Sequence, residues 1–221
     1  MPRRRVAGSG GVVFHVLNRA VRRARLFNHD DDYRALLRLV GSTLSKVPVE
    51  MFAYCIMPNH FHFVVRPERD GDLSNYMKLL TLTHSKRWHV AHGTTGTGCV
   101  YQGRFKAFPI QTDSHFLTVC RYVEQNPLRA RLSARAEEWP WSSLSKSIRN
   151  DCGVQLSPWP IDRPVDWPTL VNGHESFLTA VRASVVRNRP FGAPDWVEAM
   201  AVHLGLESSL REPSRPRKGN G

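Results

Sequence analysis

Two histidines one residue apart, His60 and His62, stand in the segment Met57-Pro-Asn-His-Phe-His-Phe-Val-Val65. Alternate side chains of a β-strand share a face, so both imidazoles project together while Phe61 and Phe63 project to the other side. Such a pair can hold a divalent ion or bracket an anion. The plain alternative is two satisfied histidines in an aromatic-rich strand, and partners elsewhere decide between them. Residues 120–132 read Cys-Arg-Tyr-Val-Glu-Gln-Asn-Pro-Leu-Arg-Ala-Arg-Leu. Phe116, Val119, Cys120 and Val123 form an apolar stripe at helical spacing, with Tyr122 on its flank. Asn126 follows four residues on, about 40° around the helix from Tyr122, whereas Gln125 is displaced to the solvent side. A phenol and an amide oxygen can thus be offered to one site. The competing reading is a partly buried tyrosine before a helix-terminating Asn-Pro.

Other polar groupings carry less chemistry. His84, His89 and His92 scatter around one expected helix and read as surface or packing residues. Asp30, Asp31 and Asp32 precede a helical apolar pattern, where acids suit the helix dipole, so capping explains them. The glycines between Gly93 and Gly98 lack the strand, helix and lysine of a phosphate loop. Glu137 and Glu138 read as a solvated turn. No carboxylate grouping resembles a two-metal nuclease.

The elements that must position these residues follow from periodicity and breakers. Residues 12–16 predict a first strand, and a helix follows the three aspartates. Strands over 49–57 and 60–66 flank a Pro58-Asn59 turn. A second helix runs from Asp72 or Ser74 to about His92, and a last strand lies near 108–110. A third helix starts at Asp113 or Ser114 and runs to about Gln125, stopped by Asn126-Pro127. This order predicts an α+β fold, a ferredoxin-like antiparallel sheet with helices on one face. Beyond Trp139-Pro-Trp-Ser-Ser143, prolines crowd a loop before helices over 175–187 and 195–204, a small C-terminal helical extension. The expected organisation is a flexible basic arm (1–11), a main domain (12–145), the extension (146–212) and a disordered basic tail (213–221).

The chain carries 31 basic and 19 acidic residues, a net charge of +12. Of the cations 25 are arginines, which favour bidentate contact with phosphates and bases. Residues 1–29 hold seven arginines and no acid, which makes nucleic acid the leading partner. Cys55, Cys99, Cys120 and Cys152 form no Cys-x-x-Cys pair and read as reduced, buried thiols. No segment has the apolar length of a membrane span, and the basic N-terminus has no following apolar signal region. A cytoplasmic protein with no membrane partner is expected.

The His-x-His strand resembles the signature of the HUH single-tyrosine transposases, and the ordered landmarks are similar to their subgroup of REP-associated tyrosine transposases. These landmarks are His15-Val-Leu-Asn-Arg19, Met57-Pro-Asn-His-Phe-His62, Tyr101-Gln-Gly-Arg-Phe-Lys106, Arg121-Tyr-Val-Glu-Gln-Asn-Pro-Leu-Arg-Ala130 and Trp139-Pro-Trp-Ser-Ser143. Position 101 is Tyr where the family usually has Trp. The resemblance implies a ferredoxin-like fold with the histidines on a central strand. By position, it makes His60 and His62 metal ligands and Tyr122 the nucleophile. A polar residue on the tyrosine helix completes the metal site in such enzymes; helical geometry assigns Asn126, with Gln125 as the fallback. The implied ion is Mg²⁺ or Mn²⁺. The implied reaction is cleavage and rejoining of single-stranded DNA at repetitive extragenic palindromic (REP) hairpins through a 5′-phosphotyrosine, by a monomer or homodimer.

Arg3, Arg4 and Arg5 are candidates to reach a groove or flanking bases, and Arg19, Arg104 and Lys106 to hold phosphates. Trp88 and Tyr101 read as core aromatics. Alternatives of other classes are a catalytically silent DNA-hairpin-binding protein and a metal-dependent nuclease that uses water. An RNA-binding protein with an RRM-like sheet is disfavoured, because no strand carries the expected aromatic sequence.

Overall fold

Strand alternation and helical stripes sort the apolar residues of this chain into two layers, and the computed structural model shows a sheet between them. The structure describes residues 9–145, 153–173 and 178–211. Arg3, Arg4 and Arg5, Cys152, the tail over 213–221 and the start of the helix expected from Glu175 lie outside the described residues. Four strands, β1 (Val13–Arg19), β2 (Val49–Met57), β3 (His60–Pro67) and β4 (Lys106–Ile110), lie in the order β2-β3-β1-β4. Every neighbouring pair is antiparallel. Helices α1 (Asp30–Leu44) and α2 (Asp72–Ala91) complete the β1-α1-β2-β3-α2-β4 order of a split βαβ pair.

The α+β antiparallel sheet is as expected, but the helices are not confined to one face. Leu36, Leu37 and Val40 of α1 and Tyr76, Met77 and Leu80 of α2 share a core with Phe14, Phe61 and Phe63. The third helix, α3 (Ser114–Glu124), buries Phe116, Val119, Cys120 and Val123 against Phe52, Cys55, Val64 and Phe108. These are the alternate residues of the same strands, so α3 covers the opposite face. Alternation requires this arrangement: with Phe61 and Phe63 turned toward α1 and α2, any helix that meets His60 and His62 must lie across the sheet. Each fully buried Phe contributes about 1.5–3 kcal/mol of apolar transfer to its layer.

Two expected breaks are helical instead. At Asn126-Pro127 the chain continues through Gln125 into a one-turn helix, α4 (Asn126–Arg129). Pro127 lies in its first turn, where a missing N–H leaves no helical bond unmade. Likewise, Pro168 opens α5 (Trp167–Asn172) within the stretch read as a proline loop. Helices α6 (Leu178–Arg187) and α7 (Pro194–Leu204) match the two expected at the C-terminal end.

Both sheet edges are covered. Along β2, Ile56 N donates to Trp141 O at 2.9 Å and Tyr54 N to Ser143 Oγ at 2.9 Å. Along β4, Phe191 N donates to Pro109 O at 2.9 Å. Pairing of this kind removes open strand edges. Gly41, in mid-α1, lets the chain at Gly153 approach closely; a Cβ there would lie 2.3 Å from Gly153 O. Cys55 and Cys120 are buried as expected, whereas Cys99 is exposed.

Candidate active site

The strand register builds the floor of the site. Lys106, Leu17, His62 and Cys55 form one cross-sheet row, and Arg19, His60 and Met57 the next. Residues directly opposite on antiparallel strands share a face, so Lys106 and Arg19 lie on the histidine face. Lys106 and Arg104 are exposed. Arg19 is half-buried, and its Nε lies buried with no hydrogen-bond partner among the described residues.

His62 is buried at the centre of this face, and His60 is partly open. Their ring centroids are 5.0 Å apart. A third imidazole, His15 on β1, completes the group: its Nε2 lies 2.8 Å from His62 Nδ1, and the two rings are 5.0 Å apart. Nδ1 of His60 lies 2.6 Å from the side-chain oxygen of Asn59. Burial, with help from the charge of His60, pushes His15 down to about 3. Burial also pushes His60 down to about 3, helped by the cations Arg19 and Arg129. The same cause, with the neighbouring histidines, holds His62 well below the ordinary range. At neutral pH all three are uncharged imidazoles with lone pairs to offer.

Above this floor α3 presents Tyr122. Its ring meets His62 edge-on at 5.8 Å between centroids and His15 at 6.0 Å. The turn of α4 brings Arg129 back over the same ring, with its guanidinium carbon 4.3 Å from the centroid. Arg129 Nη2 also donates to Tyr122 O at 2.6 Å, closing off a carbonyl at the end of α3. A planar cation on an aromatic face is attractive and fixes the ring's orientation.

Asn126 lies beside Tyr122 as its spacing predicts, but its amide nitrogen is turned back to the helix. It donates to Tyr122 O at 3.2 Å and Val123 O at 3.1 Å. Side-chain amides near helix ends commonly satisfy free carbonyls in this way, and the Oδ1 end keeps the lone pairs. Gln125 reaches elsewhere: its Nε2 donates to Gly173 O at 2.9 Å, at the end of α5.

The remaining tyrosines and histidines fall into place. Tyr76 and Tyr101 are buried in the layer formed with α1 and α2, across the sheet from His60 and His62. Trp88, half-buried against that layer, donates to Leu26 O at 2.8 Å. His84 is buried and bonded to Tyr101 OH at 2.8 Å, and His92 stacks on Trp88. Asp32 caps the start of α1 by accepting from Asn28 N and His29 N.

Two residues of the site carried no role in the sequence reading. His15 stood in a quoted landmark, but only the β1–β3 register shows that it meets His62. Arg129 lay beyond an expected helix stop, and the continuing turn is what returns it to Tyr122.

Comparison with known proteins agrees with this geometry. The model of the IS200-like transposase family matches residues 10–126, a segment that contains His15, His60, His62 and Tyr122. The chain is 21% identical over 155 residues to a Haemophilus influenzae protein described as a REP-associated tyrosine transposase, covering 66% of this chain and 86% of that one. A solved structure of a REP-associated tyrosine transposase bound to a REP hairpin shares the fold, with a TM-score of 0.53 and 23% identity. That match covers 75% of this chain and 93% of the solved one. The family match spans more than half the sequence and the whole four-stranded sheet, so this chain belongs to the IS200-like transposases, enzymes that cleave and join DNA strands.

Proposed function

We propose that this chain cleaves and rejoins single-stranded DNA at REP-type hairpins through a covalent 5′-phosphotyrosine at Tyr122. One observation carries the reading: the Tyr122 ring stands edge-on to His62 and His15 and beneath the Arg129 guanidinium, on the face that also holds His60. A phenol, neutral imidazoles and fixed cations converge there, which suits a nucleophile and an anionic phosphate.

In the cleavage step the Tyr122 oxygen attacks phosphorus and the 3′-oxygen of the preceding nucleotide leaves. The phenol's proton is accounted for on the released 3′-hydroxyl, and the 5′-phosphate stays on the tyrosine. A 3′-hydroxyl attacking that phosphotyrosine reverses the exchange, so strands rejoin with no other energy source. Arg129 holds the ring in line for attack, while Arg19 neutralises phosphate charge at the rim. Arg104 and Lys106 hold flanking backbone.

His60 and His62 fit a divalent ion. Both are uncharged, and the Asn126 amide gives its nitrogen, not its oxygen, to the helix carbonyls. Among the described residues no three His, Cys, Asp or Glu side chains group as metal ligands, so a third protein ligand would have to be of another kind, such as the Asn126 amide. Held by His60, His62 and Asn126, Mg²⁺ or Mn²⁺ would supply Lewis-acid polarisation of the phosphate when bound.

A labelled single-stranded hairpin incubated with Mn²⁺ and resolved on a denaturing gel tests the reading. Wild type is expected to give a protein-linked band. Tyr122→Phe should give none while still retarding the hairpin on a native gel, and His60→Ala should lose metal-dependent cleavage. Cleavage by Tyr122→Phe would show that water is the nucleophile. Hairpin binding by wild type with no linked species would identify a silent binding protein.

A further inference from the structure

Asn59 sits in the β2–β3 turn immediately before His60, and its side chain faces two ways. Its Nδ2 lies 3.1 Å from the main-chain oxygen of Arg23, and its Oδ1 lies 2.6 Å from His60 Nδ1. A main-chain carbonyl only accepts, so the amide nitrogen must be the end that faces Arg23. The amide oxygen therefore faces His60 and also only accepts. His60 Nδ1 must then carry the proton, and its Nε2 must carry the lone pair. His62 is held differently: its partner is the imidazole of His15, which can donate or accept, so that contact fixes the ring's place without dictating its tautomer.

The Arg23 end of this contact is equally constrained. Residues Val21–Arg23 form a tight turn in which Arg22 and Arg23 have φ of 52° and 58°, the left-handed region that side chains enter at a cost. Hydrogen bonds fasten the segment to the Pro58-Asn59 turn: Ala20 N donates to Asn59 O at 2.9 Å, Leu26 N and Phe27 N to Pro58 O at 2.8 and 3.2 Å, and Asn59 Nδ2 to Arg23 O. Arg22, Arg23 and Arg25 are exposed on this segment.

We propose that Asn59 is the positioning residue of the site, holding His60 as its Nδ1–H tautomer with Nε2 presented to a divalent ion and locking that orientation to the arginine-bearing turn. The metal half rests on the reading of His60 as a ligand; the tautomer half does not. Outer partners of this kind fix the ring and the reactive nitrogen of a ligating histidine.

The test uses the full-length, metal-free protein labelled with ¹⁵N on histidine, with His60 assigned against His60→Gln. Wild type should show His60 protonated at Nδ1 and unprotonated at Nε2. Asn59→Asp, which keeps an acceptor toward His60 but loses the donor to Arg23 O, should still leave Nδ1 protonated. Asn59→Ala should shift His60 toward the Nε2–H form and bind Mn²⁺ alone about 10-fold more weakly or worse. A wild-type His60 protonated at Nε2, or an Asn59→Ala protein that matches wild type in both signature and Mn²⁺ affinity, overturns the proposal. If His60→Gln binds Mn²⁺ as tightly as wild type while the Nδ1–H signature depends on Asn59, the metal reading fails and the tautomer assignment stands.

Discussion

On one face of the sheet Phe61, Phe63, Met51 and Ile56 meet α1 and α2 in an apolar layer. On the other face, one residue out of step along the same strands, His62 and His15 meet Tyr122 of α3, with His60 and Lys106 on the same side. The first layer is a packing problem, solved by volume. The second places polar groups in a buried setting, so each needs a partner: His15 for His62, Asn59 for His60, the Tyr122 and Val123 carbonyls for Asn126. Stability and chemistry are thus written on alternate residues of one strand. Substitutions one position apart should fail in different ways.

The largest expected difference is between Tyr122→Phe and wild type. Covalent adduct should vanish, while urea unfolding stays nearly unchanged because the ring and its Arg129 stack remain. Phe63→Ala should do the converse, losing about 3–5 kcal/mol in urea unfolding from a fully buried ring. Whatever fraction stays folded should still form adduct. If Phe63→Ala abolished adduct formation in protein shown to be folded, the separation of the two faces would be lost.

Arg129→Gln comes next. Losing the cation over Tyr122 should slow single-turnover cleavage at saturating hairpin by roughly 10-fold, with Arg129→Lys intermediate and hairpin affinity less affected. An affinity loss with an unchanged single-turnover rate would move Arg129 from the ring to the DNA backbone.

The remaining prediction is one of pH. His15, His60 and His62 have folded pKa values depressed below their unfolded range near 6.5, with His15 and His60 at about 3. Between those values the unfolded chain binds protons that the folded chain refuses. Stability of the metal-free protein should therefore be full above pH 6.5 and decline as pH falls toward 3. His15→Phe should flatten part of that decline in urea midpoints taken at pH 7 and 4.5. An equally steep decline in the variant would assign the acid sensitivity elsewhere.

How far the sequence carried this picture differs between the faces. Phe61 and Phe63 opposite His60 and His62 were legible from alternation alone, and so were the spans of β2, β3 and α2. The stripe of α3 gave the buried residues and put Tyr122 on its flank, but a stripe does not say which face of a sheet it covers. Only the cross-strand register, a property of distant segments, brings His15 to His62. Arg129 was hidden by Pro127, because a proline stops a helix in its interior and is neutral in a first turn. Spacing put Asn126 beside Tyr122 correctly, yet spacing cannot show an amide turning back to satisfy helix carbonyls. The cover of both sheet edges, by Trp141 and Ser143 on β2 and by Phe191 on β4, likewise has no local periodic signal.

The central claim is that Tyr122 becomes covalently joined to DNA. Adduct formed on a single-stranded hairpin with Mn²⁺, digested with protease and nuclease and mapped by mass spectrometry, tests it directly. The account predicts a residual 5′-phosphonucleotide on the peptide carrying Tyr122. The same nucleotide mapped to any other tyrosine, or cleaved hairpin with no modified peptide, would contradict it.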